Sequence, residues 1–76
     1  MYVVIYGASN CRHCDNAKKL CEQKEIPYEY VDISKDEKGR KFIVNEMNLR
    51  KVPQCFINRR HIGGYTELVK ELGLGR

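Results

Sequence analysis

Residues 2–14 read YVVIYGASNCRHC, which is a short apolar run followed by a loop and two cysteines three positions apart. The apolar run is β-branched and aromatic, and it predicts a strand that is covered on both faces and therefore central in a sheet. We expect a helix to begin after the loop, with Ser9 or Asn10 capping its first turn. Residues three apart on a helix lie about 5 Å apart at Cβ, a separation that suits a disulfide.

The first cysteine, Cys11, is placed for thiol–disulfide chemistry. The free N–H groups and the positive dipole end of a helix stabilise an anion, and a thiolate is such an anion. We therefore expect Cys11 to be a nucleophile that ionises at or below neutral pH, with the charge of Arg12 adding to the effect. The helical period places Cys14 on the buried stripe and leaves Cys11 at the exposed tip.

The rest of the chain predicts the element order βαβαββα, an α/β sandwich of one mixed sheet with helices on its faces. The first strand–helix–strand unit predicts parallel pairing of its two strands. We expect the strands over residues 2–6, 28–33, 54–57 and 60–62, with a tight hairpin turn at Asn58-Arg59. We expect the helices over residues 12–24, from the capping residue Ser34 to about Asn48, and from the capping residue Thr66 to Gly73.

Length and composition limit the classes of protein that this chain can represent. With 76 residues, it is expected to form one small domain over 1–76. We find no apolar stretch that could span a membrane and no signal-peptide pattern, and we expect a cytoplasmic protein with reduced thiols. The net charge of +4 favours an anionic partner. The basic residues are scattered among acidic ones, which indicates a small anionic ligand or an acidic protein rather than nucleic acid.

Three segments, in this order, resemble the glutaredoxin family along nearly the whole chain. They are Cys11-x-x-Cys14 after a strand, Val52-Pro53-Gln54 before the third strand, and the glycine-pair segment His61 to Glu67, which reads HIGGYTE. The resemblance implies a thioredoxin fold, with a four-stranded mixed sheet flanked by three helices, and a cis peptide bond before Pro53. It also implies a dithiol, glutathione-dependent disulfide oxidoreductase.

The resemblance also implies roles for single residues. Cys11 would attack a protein disulfide or a glutathione mixed disulfide, and Cys14 would resolve the resulting mixed disulfide. Arg12 would modulate the reactivity of this pair. The glutathione site implied by the resemblance consists of His13, Arg50, Val52, Pro53, Thr66 and Glu67.

The resemblance further implies the partners of the protein. Glutathione would be the reducing co-substrate, and no metal is expected. The substrates would be disulfide-containing or glutathionylated proteins, with ribonucleotide reductase as one candidate. We expect a monomer that binds neither nucleic acid nor membranes.

The chain departs from the family pattern around the motif cysteines. Arg12-His13 replaces the usual Pro-Tyr pair, Lys51 replaces a Thr, Glu67 replaces an Asp, and Ala8 replaces a basic residue. We expect these changes to bear on the redox potential and the affinity for glutathione more than on the reaction class. As an imidazolium, His13 would stabilise the thiolate and raise the potential; alternatively, it is an exposed residue with little effect.

Other readings of the sequence remain open. We expect Cys21 and Cys55 to fill core volume, although Cys55 could serve as an auxiliary redox thiol. Tyr6 either borders the site or belongs to the core, and His61 is expected to be structural. The alternative functions are a thioredoxin-like electron donor recharged by a thioredoxin reductase, a zinc-binding module, and an iron–sulfur carrier with glutathione as a ligand.

Overall fold

The computed structural model describes residues 1–73 and confirms the α/β class and the predicted element order. The strands are β1 (Val3–Gly7), β2 (Tyr28–Asp32), β3 (Gln54–Ile57) and β4 (Arg60–Gly63). The helices are α1 (Arg12–Gln23), α2 (Glu37–Lys41), which continues as a π-helical turn over Phe42–Glu46, and α3 (Tyr65–Glu71). The strand and helix bounds lie within a few residues of those predicted.

The four strands form one mixed sheet in the order β2-β1-β3-β4. β1 pairs in parallel with β2 across the α1 crossover, and antiparallel with β3. β4 returns antiparallel to β3 through the predicted tight turn, where Asn58 and Arg59 both adopt left-handed φ angles of 50° and 73°. Two such residues make the hairpin turn whose twist matches that of the strands. The predicted central position of β1 is confirmed.

One face of the sheet carries the main core, because α1 and α3 pack against it. The buried cluster draws on β1, α1, β3 and α3, and consists of Val3, Ile5, Ala17, Leu20, Cys21, Cys55, Ile57 and Leu68. The predicted buried stripe of α1, which includes Cys14, is confirmed.

The other face of the sheet is only partly covered, contrary to the expectation that β1 is enclosed on both faces. Phe42, from the π-helical turn, reaches across it to Tyr6 and Phe56, with ring centroids 5.5 and 5.9 Å away. Val4 and Tyr6 are therefore half-buried. They border an apolar groove that Tyr2 and Phe56 also line.

The predicted cap of α1 was wrong. Cys11 occupies the N-cap in an extended conformation, and its sulfur accepts a hydrogen bond from the N–H of Cys14. Ser9 is unavailable because its hydroxyl donates to Asp32 (2.8 Å). Asn10 adopts a left-handed φ of 57°, whereas an N-cap requires extended backbone.

The predicted caps of the other two helices, Ser34 and Thr66, were also wrong. Asp36, rather than Ser34, caps α2 and accepts the N–H of Gly39 at 3.0 Å. Gly64 precedes α3, and its N–H donates to Glu67 Oε1 at 2.9 Å, so that Thr66 lies inside the first turn. In both helices a carboxylate binds the free N–H, and a charged acceptor makes a stronger hydrogen bond than a hydroxyl.

Candidate active site

The two motif cysteines lie where β1 leads into α1. They are disulfide-bonded, with Cα atoms 5.2 Å apart. Cys11 is half-buried and Cys14 is completely buried. The predicted division between an accessible first sulfur and an enclosed second sulfur is confirmed.

The sulfur of Cys11 lies at the start of α1, next to a hydrogen-bond donor. The N–H of Cys14 donates to this sulfur at 3.2 Å. The sulfur therefore lies at the positive end of a 12-residue helix, beside N–H groups that have no partner within the helix. Asp15 is the acidic residue of the first turn, and its charge is countered by Lys18 at 3.5 Å.

The loop that delivers Cys11 is held by side chains of β2. The hydroxyl of Tyr30 donates to the carbonyl of Ala8 at 3.0 Å, and the carboxylate of Asp32 accepts from Ser9. The hydrogen bond from Ser9 is the main cause that lowers the pKa of Asp32. Tyr30 lies so close to Gly7 that any Cβ there would collide with its ring. These contacts fix the course of the backbone just before the nucleophile.

A groove beside the disulfide gathers most of the residues that the sequence assigned to the glutathione site. Five of these residues line it: His13, Val52, Pro53, Thr66 and Glu67. Arg50 and Arg12 are exposed and are not among the lining residues. Residues that line the groove without having been assigned to it include Leu49, Lys51, Gln54, His61, Gly63, Gly64 and Tyr65.

The Val52-Pro53 segment forms one wall of this groove. Its peptide bond is cis, as the family resemblance implied. Pro53 is buried and Val52 is half-buried. Lys51, which stands where the family has Thr, also lines the groove and brings a positive charge to this side.

The glycine-pair segment forms the opposite wall. Glu67 accepts the N–H of Gly64, and the pKa of Glu67 is lowered by its own backbone N–H and then by that of Gly64. The carboxylate is therefore held in its charged form. Gly63 has a φ of 132° and lies against the Glu67 side chain, a position that accepts only glycine without strain.

One aromatic contact joins the cysteine motif to the glycine-pair segment. The rings of His13 and Tyr65 are stacked, with centroids 6.3 Å apart and an interplanar angle of 29°. No local sequence pattern predicts this contact, because it joins residues that are distant in the chain.

The other two cysteines are buried free thiols, as predicted. Burial raises the pKa of Cys21 and raises the pKa of Cys55 to about 12. Both are therefore protonated and unreactive at neutral pH. Within residues 1–73, no cluster of His, Cys, Asp and Glu side chains is arranged to hold a metal ion. None of the helices in the same range is long and apolar enough to cross a bilayer.

The sequence is similar to known proteins over most of its length. A family profile described as Glutaredoxin matches residues 3–62. Glutaredoxin 1 of Escherichia coli (strain K12) is 35% identical over 74 residues, which cover 88% of this chain and 87% of that protein.

Solved structures show the same fold. Glutaredoxin 1 from Francisella tularensis, in complex with cacodylate, superposes with a TM-score of 0.73 at 32% identity and covers 99% of this chain and 98% of that one. A buckwheat glutaredoxin–glutathione complex superposes with a TM-score of 0.81 at 25% identity, covering 96% of this chain and 69% of that one. The predicted thioredoxin fold is therefore confirmed.

Proposed function

This chain belongs to the glutaredoxin family, and we propose that it reduces protein disulfides and glutathione mixed disulfides with glutathione as the electron source. The observation that carries the proposal is the bonded Cys11–Cys14 pair at the start of α1, beside a groove lined by Val52-Pro53 and by Glu67. The family implies thiol–disulfide oxidoreduction. The complex of a buckwheat relative with glutathione supports this tripeptide as the co-substrate.

The reaction begins with the reduced pair. The thiolate of Cys11 attacks one sulfur of the substrate disulfide, forms a mixed disulfide, and releases the other sulfur as a thiolate. Cys14 loses its proton and attacks Cys11 Sγ, which frees the second substrate thiol and leaves the intramolecular disulfide seen in the structure. The substrate gains two electrons and the pair loses two.

Two glutathione molecules restore the dithiol. The first, as its thiolate, attacks Cys11 Sγ and releases Cys14, which takes up a proton. The second attacks the sulfur of the bound glutathione, releases oxidised glutathione and returns Cys11 as a thiolate. A glutathionylated substrate needs Cys11 alone, because glutathione can resolve the intermediate directly.

The walls of the groove supply groups of the right kind for glutathione. We expect the main chain of Val52 to pair with the extended tripeptide, and the Glu67 carboxylate suits the ammonium of the γ-glutamyl residue. Lys51 lines the groove, whereas Arg50 does not, so Lys51 is the better candidate for a glutathione carboxylate. We place the activity in the cytoplasm, where glutathione keeps thiols reduced.

The proposal is tested by turnover of a glutathione mixed disulfide in the presence of glutathione, glutathione reductase and NADPH. We expect substantial turnover, and none when a thioredoxin reductase replaces the glutathione system. Turnover with the thioredoxin reductase alone would assign the chain to the alternative class of electron donor.

A further inference from the structure

Gln54 is the one polar side chain that is buried within residues 1–73, at 8% exposure. Its Nε2 donates to the carbonyl of Lys51 at 2.8 Å, and its Oε1 lies 2.8 Å from Nε2 of His61. Both ends of the carboxamide therefore have partners, as a buried amide requires. These two bonds connect His61 on β4 to Gln54 at the start of β3, and Gln54 to Lys51, which precedes Val52-Pro53.

The chemistry of the partners fixes the direction of this chain of bonds. A main-chain carbonyl can only accept, so the NH₂ group of Gln54 must face Lys51 and Oε1 must face His61. Because Oε1 also can only accept, Nε2 of His61 must carry the proton that it donates. The bonds therefore run from His61 to Gln54 to Lys51.

The loop that receives the last of these bonds has few other polar ties. Among the backbone hydrogen bonds that the described residues make outside helices and strands, none involves residues 50–53. Lys51 is exposed and Val52 is half-buried, so apolar burial holds this part of the loop only weakly. The Gln54 side chain is thus the main polar restraint on the main chain next to Pro53.

The sheet holds His61 in place for this bond. Gln54 and Phe56 are two residues apart on β3, so their side chains share one face of the sheet. His61 pairs with Phe56 across the two strands, with ring centroids 5.0 Å apart. A register shift between Cys55 and Phe56 leaves one extra residue on β4, and such bulges re-aim side chains.

We propose that Gln54 and His61 are positioning residues, which together hold the main chain of Lys51 and Val52 in the geometry that binds the substrate beside Cys11. The proposal rests on the proposed function, because it assigns a role within that same groove. It changes the expectation that His61 is only structural.

Three variants separate the hydrogen bonds from packing. Gln54→Met keeps the length of the side chain and removes both bonds. His61→Phe keeps a ring against Phe56 and removes the donor, whereas His61→Gln returns an N–H donor without the ring. Gln23→Met is the matched control, because it makes the same chemical change at an exposed position at the end of α1.

The first readout is the reduction of a disulfide-linked peptide, with dithiothreitol as reductant in one arm and glutathione in the other. For Gln54→Met we expect KM to rise about threefold to tenfold, the range for loss of one or two neutral hydrogen bonds. The alkylation rate of Cys11 by iodoacetamide should not change, because alkylation does not use the groove. His61→Phe should raise KM less, His61→Gln should restore it, and Gln23→Met should leave it unchanged.

The second readout needs no activity. In the ¹⁵N–¹H spectrum, the amide signals of residues 51 and 52 should move in Gln54→Met and His61→Phe, and return toward their original positions in His61→Gln. Unmoved signals, or a KM for Gln54→Met equal to that of the natural chain, would overturn the positioning role even if the variant is less stable. Turnover by the natural chain with dithiothreitol but not with glutathione would instead refute the proposed function and leave this test intact.

Discussion

At the scale of single residues, the two sulfur atoms of the motif differ in exposure, and this difference supports the roles proposed for them. Cys11 is half-buried at the helix tip, where a substrate sulfur can reach it. Cys14 is completely buried and can be reached only by its neighbour. The two cysteines are therefore not interchangeable, although their side chains are chemically identical.

We predict that Cys11→Ser abolishes all activity, whereas Cys14→Ser keeps the removal of glutathione from glutathionylated substrates and loses the reduction of protein disulfides. Serine keeps the size of the side chain and removes the nucleophilic sulfur. Steady-state assays with one substrate of each kind measure the two activities. Equal losses in the two variants would contradict this division of labour.

His13 provides a second prediction at this scale. Its imidazolium form would stabilise the Cys11 thiolate and thereby favour the reduced protein. We expect the reduction potential to lie above the range of about −230 to −200 mV that is ordinary for glutaredoxins, and we expect His13→Tyr to lower it into that range. The potential is measured by equilibration with glutathione redox buffers. The same value in both proteins would show that His13 has no such effect.

The sequence identified some residues of the site and missed others for a physical reason. The spacing of Cys11 and Cys14 defines a local geometry that any helix start reproduces, and it could be predicted. The course of the loop before Pro53 depends on contacts with β4, which no local pattern encodes. Gln54 and His61 were both within the motifs that carried the family resemblance, and this was the one signal that could have marked them.

At the scale of secondary-structure elements, β2 holds the loop that leads to Cys11. Asp32, at the end of this strand, accepts from the hydroxyl of Ser9 at 2.8 Å and from the N–H of Ser34 at 2.9 Å. One carboxylate therefore joins the loop before Cys11 to the turn after β2. The bonded carboxylate is favoured over its protonated form, which is why the pKa of Asp32 is lowered.

We predict that Asp32→Asn lowers the free energy of unfolding at neutral pH, by an amount that shrinks as the pH falls below about 3.9. Because the pKa is lower in the folded than in the unfolded state, the stabilisation is complete above the unfolded value of about 3.9. It is lost as the pH falls through the lower folded-state value. Urea unfolding of both proteins at pH 7 and at about pH 3 measures the difference.

The exposed Glu46 provides the control for this experiment, as Glu46→Gln also removes one negative charge. We expect that variant to match the natural chain at neutral pH. A deficit of Asp32→Asn that is equally large in acid would show that the carboxylate charge is not what stabilises the loop.

Local sequence patterns predicted the helices but not the residues that cap them. The existence and extent of α1 followed from its apolar period, but Ser9, Ser34 and Thr66 were all wrong as caps. A hydroxyl near a helix start can cap it only when no stronger acceptor competes and its backbone is extended. The carboxylates of Asp36 and Glu67 accept N–H groups at the starts of α2 and α3. At α1 the sulfur of Cys11, a weaker acceptor than a hydroxyl, accepts the N–H of Cys14 because Ser9 is already bonded to Asp32.

At the scale of the whole molecule, α3 completes the core by packing onto the sheet and α1. Leu68 is its completely buried residue, whereas Leu72 is only half-buried. In a chain of 76 residues the core is small, and a single cavity removes a large share of the stability.

We predict that Leu68→Ala lowers the free energy of unfolding by about 2–5 kcal/mol, the range for a buried leucine that leaves a cavity. Leu72→Ala is the matched control and should cost clearly less, because its side chain already contacts water. Urea denaturation measures both. Equal losses would mean that α3 is not anchored through Leu68.

The architecture could be predicted because the local sequence signals agree with one another. The β-branched first strand, the length of α1 and the tight turn at Asn58-Arg59 all agree with one sheet order. The degree to which the second face is covered could not be predicted. It depends on how the short α2 and its π-helical turn place Phe42 over Tyr6.

The most direct measurement is the titration of Cys11 in the reduced Cys14→Ser protein, by the rate of iodoacetamide alkylation as a function of pH. We predict that the rate reaches half its maximum below about pH 7, because the N–H groups and the dipole at the start of α1 stabilise the thiolate. A midpoint near 8.5, the value of an unperturbed thiol, would show that the helix start does not activate this sulfur.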